Sequence, residues 1–191
     1  MQQILEIRFH GRAGQGAKTA AQILAEAAME VGYHVQAFPD YGAAREGAPI
    51  TVFVRISKDP IKHYTIVESP DIVVVVDATL LKLVDVTAGM HDKSTLITNN
   101  FNCPLNLSKE VKGRFHGRVW HVDATKIALD TIGKNITNTP IVGAVIKATN
   151  ILGYEAVKNR FIEHNKHKFT QAVLDANIRA MDRGYAEVEE C

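Results

Sequence analysis

The run Asp71-Ile72-Val73-Val74-Val75-Val76 constrains this chain more than any other stretch. An unbroken β-branched segment of this kind suits a central strand covered on both faces, the usual setting of parallel sheets. Such sheets need long crossover connections, usually helices. The flanking sequence provides them. Ile4 to His10 alternates apolar and polar residues, as a strand does. After a turn at Gly11–Gly16, Ala17 to Val31 has helical composition and periodicity and stops at Gly32. His34 to Phe38 reads as a second strand. The unit is therefore β–turn–α–β, with a right-handed parallel crossover expected.

Downstream, Pro39 to Ala48 reads as an irregular loop. Ile50 to Ile56 alternates strictly, with Ile50, Val52, Val54 and Ile56 on the more buried face. His63 to Val67 reads as a short strand pairing back on it, which would make the sheet mixed. Asp77 ends the valine run, and a helix is expected from Thr79 to Val84. Strands are expected at Ser94–Thr98 and Arg118–Val122, and helices at Asp123–Ile132, Glu155–Asn165 and Phe169–Val188. Thr139 reads as an N-cap followed by Pro140 at the first position of a helix through Thr149. The predicted fold class is α/β: a three-layer α/β/α sandwich with a mostly parallel, mixed sheet. It forms a single domain over residues 1–191 with a C-terminal helical stretch from about residue 139.

Composition excludes several functions. Net charge is +1 with 23% charged residues, which offers no argument for nucleic acid or an anionic membrane. No apolar run approaches the roughly 20 residues of a membrane-spanning helix. The N-terminus shows no leader pattern, so a cytoplasmic location is expected. The two cysteines, Cys103 and Cys191, are distant in sequence and expected to be unpaired. An iron–sulfur cluster takes about four thiolates, so this chain is not expected to hold one alone. No flavin or thiamine signature is visible.

The turn Gly11-Arg12-Ala13-Gly14-Gln15-Gly16 follows a strand and opens a helix. Helix N-termini offer unpaired amides and the positive end of a dipole. Gly11, Gly14, Gln15 and Gly16, with Lys18 and Thr19 close by, are candidates to hold a phosphate or another anion. The glycines equally serve tight turning and close helix–strand packing. The spacing is G-x-x-G-x-G, neither the dinucleotide pattern nor a P-loop. A ribose-binding acid is also missing at the end of the second strand, where Pro39 precedes Asp40.

The second candidate is the loop Phe38-Pro39-Asp40-Tyr41-Gly42-Ala43-Ala44-Arg45-Glu46-Gly47-Ala48-Pro49. Tyr41 and Arg45 are the residue types that anchor interfaces, and Arg also suits bidentate anion contact. The alternative is a surface Arg45–Glu46 pair with glycines serving the turn. Asp77 is either a functional carboxylate at the sheet edge or the cap of the next helix. His164-x-x-His167 and the pair His116 and His121 read as solvated histidines, and no metal site is assigned. The cluster Lys158, Arg160, His164, Lys166, His167 and Lys168 reads as a wet helix face or a surface for an acidic partner. Ser57, Ser69 and Cys103 have no base at suggestive spacing, so no catalytic residue is assigned.

Together the glycine turn and the Tyr-Gly…Arg loop resemble the gamma subunit of the 2-oxoacid:ferredoxin oxidoreductases, over nearly the whole chain. Two departures stand out. The family usually writes the turn as G-x-G-G-Q-G, and Ala13 replaces one glycine here. Glu46 stands between Arg45 and Gly47, where the family has Arg-Gly. The resemblance implies a subunit, inactive alone, of a complex that oxidatively decarboxylates a 2-oxoacid (pyruvate or a branched-chain one). The products would be an acyl-CoA and reduced ferredoxin. It implies thiamine diphosphate and iron–sulfur clusters in other chains and partners of alpha, beta and delta type. Self-association is expected when the chain is isolated, and ferredoxin contact only indirectly. The turn would contact CoA or another anion, and the Tyr41/Arg45 loop a ligand or partner. A free-standing nucleotide-binding oxidoreductase domain and a pure scaffold subunit are the alternatives.

Overall fold

The computed structural model describes residues 4–40, 47–103 and 115–191. Among these residues seven strands form one sheet in the order β2-β3-β1-β4-β5-β6-β7. They are β1 (Ile4–Arg12), β2 (His34–Asp40), β3 (Pro49–Ser57), β4 (Ile72–Val75), β5 (Thr95–Asn99), β6 (Arg118–Val122) and β7 (Glu189–Glu190). The centre, β1-β4-β5-β6, is parallel. The valine run lies in β4, fully buried between β1 and β5.

The left side of the sheet departs from the simple β–α–β expectation. β3 inserts between β1 and β2 and runs antiparallel to both. β1 and β2 therefore share a direction without touching as neighbours. The reason is in β3 itself, whose two faces are both buried. Ile50, Val52, Val54 and Ile56 join the helix-side core, while Phe53 and Arg55 are buried as well. β2 extends through Pro39 and Asp40, residues expected in the loop. As an edge strand it tolerates a proline.

The helices are α1 (Ala17–Glu30), α2 (Ala124–Ile132), α3 (Asn138–Thr149), α4 (Tyr154–Asn165) and α5 (Gln171–Glu187). These five helices of the described residues pack into one core with Ile7, Phe9, Val74 and Ile97 of the sheet. Val73, Val75, Leu96 and Val119 point the other way and meet Leu80, Leu81, Val86 and Phe115. Among the described residues that second layer is thin. It contains a 3₁₀ turn, Ala78–Lys82, where a helix over Thr79–Val84 was expected. Arg8, buried on β1, ties the following loop down by donating to the carbonyls of Val86 (3.1 Å) and Ala88 (2.6 Å).

His63–Val67 is not a strand. Arg55, 2% exposed, takes the Thr65 and Ile66 carbonyls at 2.7 and 3.2 Å, and Glu6 accepts from its Nε at 2.7 Å. A side-chain fork holds this segment in place of a backbone ladder. The start of α3 also differs. Thr137 is its N-cap, so Pro140 sits at the third helical position. A proline costs nothing extra there, because the first-turn amides have no intrahelical partner. α3 and α5 cross at two glycines, Gly143 and Gly184.

Cys103 and Cys191, expected to be unpaired, form a disulfide with Cα atoms 5.6 Å apart. The tertiary fold brings them together: β7 pairs with β6, and the Cys191 amide donates to the Val119 carbonyl at 2.8 Å. No described helix is long and apolar enough to cross a membrane.

Candidate functional site

The chain reverses its winding between β1 and β4. From β1 it passes through α1 to β2 and β3 on one side, while β4 leads to β5 and β6 on the other. Open α/β sheets bind ligands at such switch points, beyond the carboxyl ends of the strands. Here the ends of β1 and β4 carry the glycine turn and Asp77.

The turn is built from strained glycine geometry. Gly14 and Gly16 both have φ of +92°, a conformation that disfavours a side chain. Gly11 is extended but pressed close: a Cβ there would lie 2.8 Å from that of Ala17. A Cβ on Gly16 would lie 3.0 Å from that of Asn138. The openings of α1 and α3 therefore meet at Gly16. Thr137 Oγ1 lies 3.4 Å from the Gln15 carbonyl.

Gln15 is not a free donor. Its Nε2 donates to Asp77 Oδ2 at 2.8 Å and its Oε1 accepts from the Arg12 amide at 3.2 Å. Arg12, which the sequence reading passed over, is the hub of the site. Its Nε reaches Asp77 Oδ2 at 3.0 Å, its Nη2 the Thr79 hydroxyl at 2.9 Å and its Nη1 the Gly47 carbonyl at 3.0 Å. Of the two roles weighed for it, Asp77 takes the cap, and it also braces the turn. Its Oδ1 caps the 3₁₀ turn by accepting from the Thr79 amide at 2.9 Å, and its Oδ2 holds Arg12 and Gln15. Burial pushes the Asp77 carboxyl up. The hydrogen bonds from Thr79 and Gln15 and the charge of Arg12 outweigh that effect and hold it below its ordinary value.

Beside this network lies a crevice of about 250 Å³, lined by Gln15, Asp77, Thr79, Asn99, Thr125, Asn135 and Thr137. Among the described residues hydroxyls and amides dominate it, and the one formal charge in its lining is the Asp77 carboxylate. It suits a polar, hydrogen-bonding group better than a bare phosphate. The anionic option is left to the mouth of α1, where the N-cap Gly16 supplies no side-chain cap and Lys18 is exposed. Apart from Gln15 the crevice residues had no sequence signal as a set, since they come from two strand ends, the start of α2 and the segment linking α2 to α3. Only Asp77 stood out.

Of the other sequence candidates, Tyr41, Arg45 and Glu46 lie outside the described residues. Gly47 accepts from Arg12 through its carbonyl. Among the described residues, no group of three or more His, Cys, Asp or Glu side chains could hold a metal ion. His121 lies 3.9 Å from Glu189, and His164 pairs with Glu26. Ser57 accepts from the Asp59 amide, and Ser69 donates to the Gly89 carbonyl. Cys103 is in the disulfide.

The chain is thus an open α/β domain with a mixed sheet, a glycine turn bonded to an acidic strand end, and a polar crevice at the switch point. The particular family follows from comparison. The family model "Pyruvate ferredoxin/flavodoxin oxidoreductase" matches residues 6–187, and the chain belongs to that family. It is 48% identical over 184 residues to the pyruvate synthase subunit PorC of Thermotoga maritima, covering 96% of this chain and 94% of that one. It is 46% identical over 182 residues to the pyruvate/ketoisovalerate oxidoreductases common subunit gamma of Thermococcus kodakarensis, covering 95% and 96%. The crystal structure of the pyruvate oxidoreductase subunit PORC of Thermotoga maritima superposes with a TM-score of 0.82 at 46% identity, covering 98% of both chains.

Proposed function

We propose that this chain is the gamma-type subunit of a multi-subunit 2-oxoacid:ferredoxin oxidoreductase, acting on pyruvate or a branched-chain 2-oxoacid. The observation that carries the reading is near-full-length identity of 48% to a pyruvate synthase subunit. Thiamine diphosphate and the iron–sulfur clusters belong to other chains, of alpha, beta and delta type, in this proposal. What supports this for the clusters is the sequence: two cysteines, against the about four thiolates a cluster takes.

The contribution of this chain, in the same reading, is assembly and part of the CoA path. The crevice offers side-chain amides and hydroxyls to a polar segment of CoA, with Asn135 and Thr137 as its contacts. The mouth of α1 beside Lys18 is the place for a phosphate. Arg12, Gln15 and Asp77 hold the turn in shape. The Tyr41/Arg45 loop contacts a neighbouring subunit.

Co-expression with candidate partner subunits tests both parts. The chain is expected to co-purify in a complex that reduces ferredoxin with pyruvate or 2-oxoisovalerate, and to be inactive alone. Within that complex, Asn135→Ala is expected to raise the KM for CoA several-fold and leave the 2-oxoacid KM unchanged. Failure to co-purify removes the subunit reading. Co-purification with an unchanged CoA KM leaves the subunit as a scaffold.

A further inference from the structure

A second cavity, of about 490 Å³, lies on the helical side of the molecule and shares no lining residue with the crevice. The volume is in the range of small-molecule sites. Its walls come from α1, α4, the start of α5 and the segment linking α2 to α3. That segment is a partition: Lys134, Ile136 and Asn138 line the cleft, while Asn135 and Thr137 line the crevice.

The cleft has two chemistries. Ile23 and Phe161 are buried apolar residues of the lining, and Ile136, Phe169 and Val173 are large apolar side chains left exposed along it. The polar part is cationic. The basic cluster seen in the sequence is sorted by the fold: Lys158 goes to Asp182 and Lys166 to Glu163, whereas Arg160, His164 and Lys168 line the cleft. Lys134 joins them with no ion-pair partner among the described residues.

Arg160 is the decisive group. Of the two carboxylates beside it, Glu26 and Glu30, the one that lines the cleft, Glu26, is already engaged. Glu26 Oε1 accepts from Gln22 Nε2 at 2.8 Å, and its Oε2 lies 2.6 Å from His164 Nδ1. Arg160 stands off at 3.7 Å from Glu26 and 3.5 Å from Glu30. Its Nε is buried and has no hydrogen-bond partner. A buried donor without an acceptor is costly, and an arginine fork matches carboxylate and phosphate oxygens.

We propose that this cleft binds a small amphipathic anion: an apolar body seated on Ile23, Phe161 and Val173, with one carboxylate or phosphate taken by Arg160 and Lys134. The site is distinct from the CoA reading of the crevice and does not depend on it.

Calorimetric titration of the full chain with phenyl phosphate and with 4-phenylbutyrate tests it. Inorganic phosphate and the neutral 4-phenylbutanamide are the controls. Saturable one-to-one binding of either amphipathic anion is expected, with both controls much weaker. Which anion binds more tightly identifies the head group as phosphate or carboxylate. Arg160→Gln is expected to weaken binding by about tenfold or more, the equivalent of one charge-assisted hydrogen bond. Lys134→Gln, at an exposed loop position, is expected to weaken it less, and thermal melts without ligand verify that both variants fold. The proposal is overturned if neither anion binds wild type, if the neutral amide or inorganic phosphate binds as well, or if both folded variants bind like wild type.

Discussion

Replacing Asp77 by Asn probes the network that shapes the switch-point crevice. The change keeps size and shape and keeps one oxygen to cap Thr79. The amide nitrogen then faces two donors, Arg12 Nε and Gln15 Nε2, which now lie 3.0 and 2.8 Å from Oδ2. One hydrogen bond between charged partners, typically about 1.5–3 kcal/mol, and one ordinary bond of about 1 kcal/mol are lost. The Asp77 side chain is only 12% exposed, so water replaces them poorly; Arg12, at 26%, recovers part of its hydration. The net expectation is a loss of about 2–3 kcal/mol. For a chain of this size that lowers Tm by roughly 4–12 °C.

The pH dependence has a definite sign. The folded Asp77 carboxyl lies below its unfolded value, so its contribution is fully present above the unfolded pKa of about 4. It is lost as pH falls through the lower folded value. Urea melts of wild type and Asp77→Asn are expected to differ by a constant amount from pH 5 to 8 and to converge in strong acid. A cycle with Arg12→Met is expected to show coupling of about 1–2 kcal/mol. Additive losses in the cycle, or an Asp77→Asn melt within 2 °C of wild type (about 0.5 kcal/mol), would falsify the account.

Three further outcomes are expected. Burial and the neighbouring Arg8 push the His10 imidazole down to about 4, so it is neutral in the folded chain at neutral pH. Its contribution is intact above about pH 6.5 and falls by up to about 3 kcal/mol towards pH 4, and His10→Gln is expected to flatten that slope in urea melts. A Cβ on Gly184 would lie 2.0 Å from the Pro140 carbonyl oxygen, so Gly184→Ala is expected to cost about 1–3 kcal/mol by calorimetry despite its better helix propensity. The Cys103–Cys191 disulfide spans 88 positions, so Cys191→Ser is expected to lower stability by about 2–4 kcal/mol under oxidising conditions and to change nothing under reduction; equal melts in both conditions would mean that the bond does not form in solution.

Much of the fold was readable in sequence because it rests on local periodicity. The valine run, the alternation of Ile50 to Ile56 and the Ala-rich stretch after Gly16 each carry their own burial pattern, and each became the expected element. The glycine turn was readable for the same reason: Gly14 and Gly16, between a strand and a helix, constrain the backbone directly. Its resemblance to the gamma-subunit family agrees with the family match over residues 6–187.

What needed the tertiary structure was every property set by partners distant in the chain. The insertion of β3 between β1 and β2 depends on which faces find cover, and alternation alone does not say which strand is a neighbour. Gln15 looked like a free donor until Asp77, 62 positions away, was seen to hold it. The disulfide joins residues that only the pairing of β7 with β6 brings close. The basic cluster looked uniform along α4, yet Lys158 and Lys166 pair with Asp182 and Glu163, while Arg160 and His164 meet the acids of α1 at the edge of a cleft. Local backbone preference and burial pattern are written in neighbouring residues. Charge pairing and hydrogen-bond satisfaction are settled only when the chain has closed on itself.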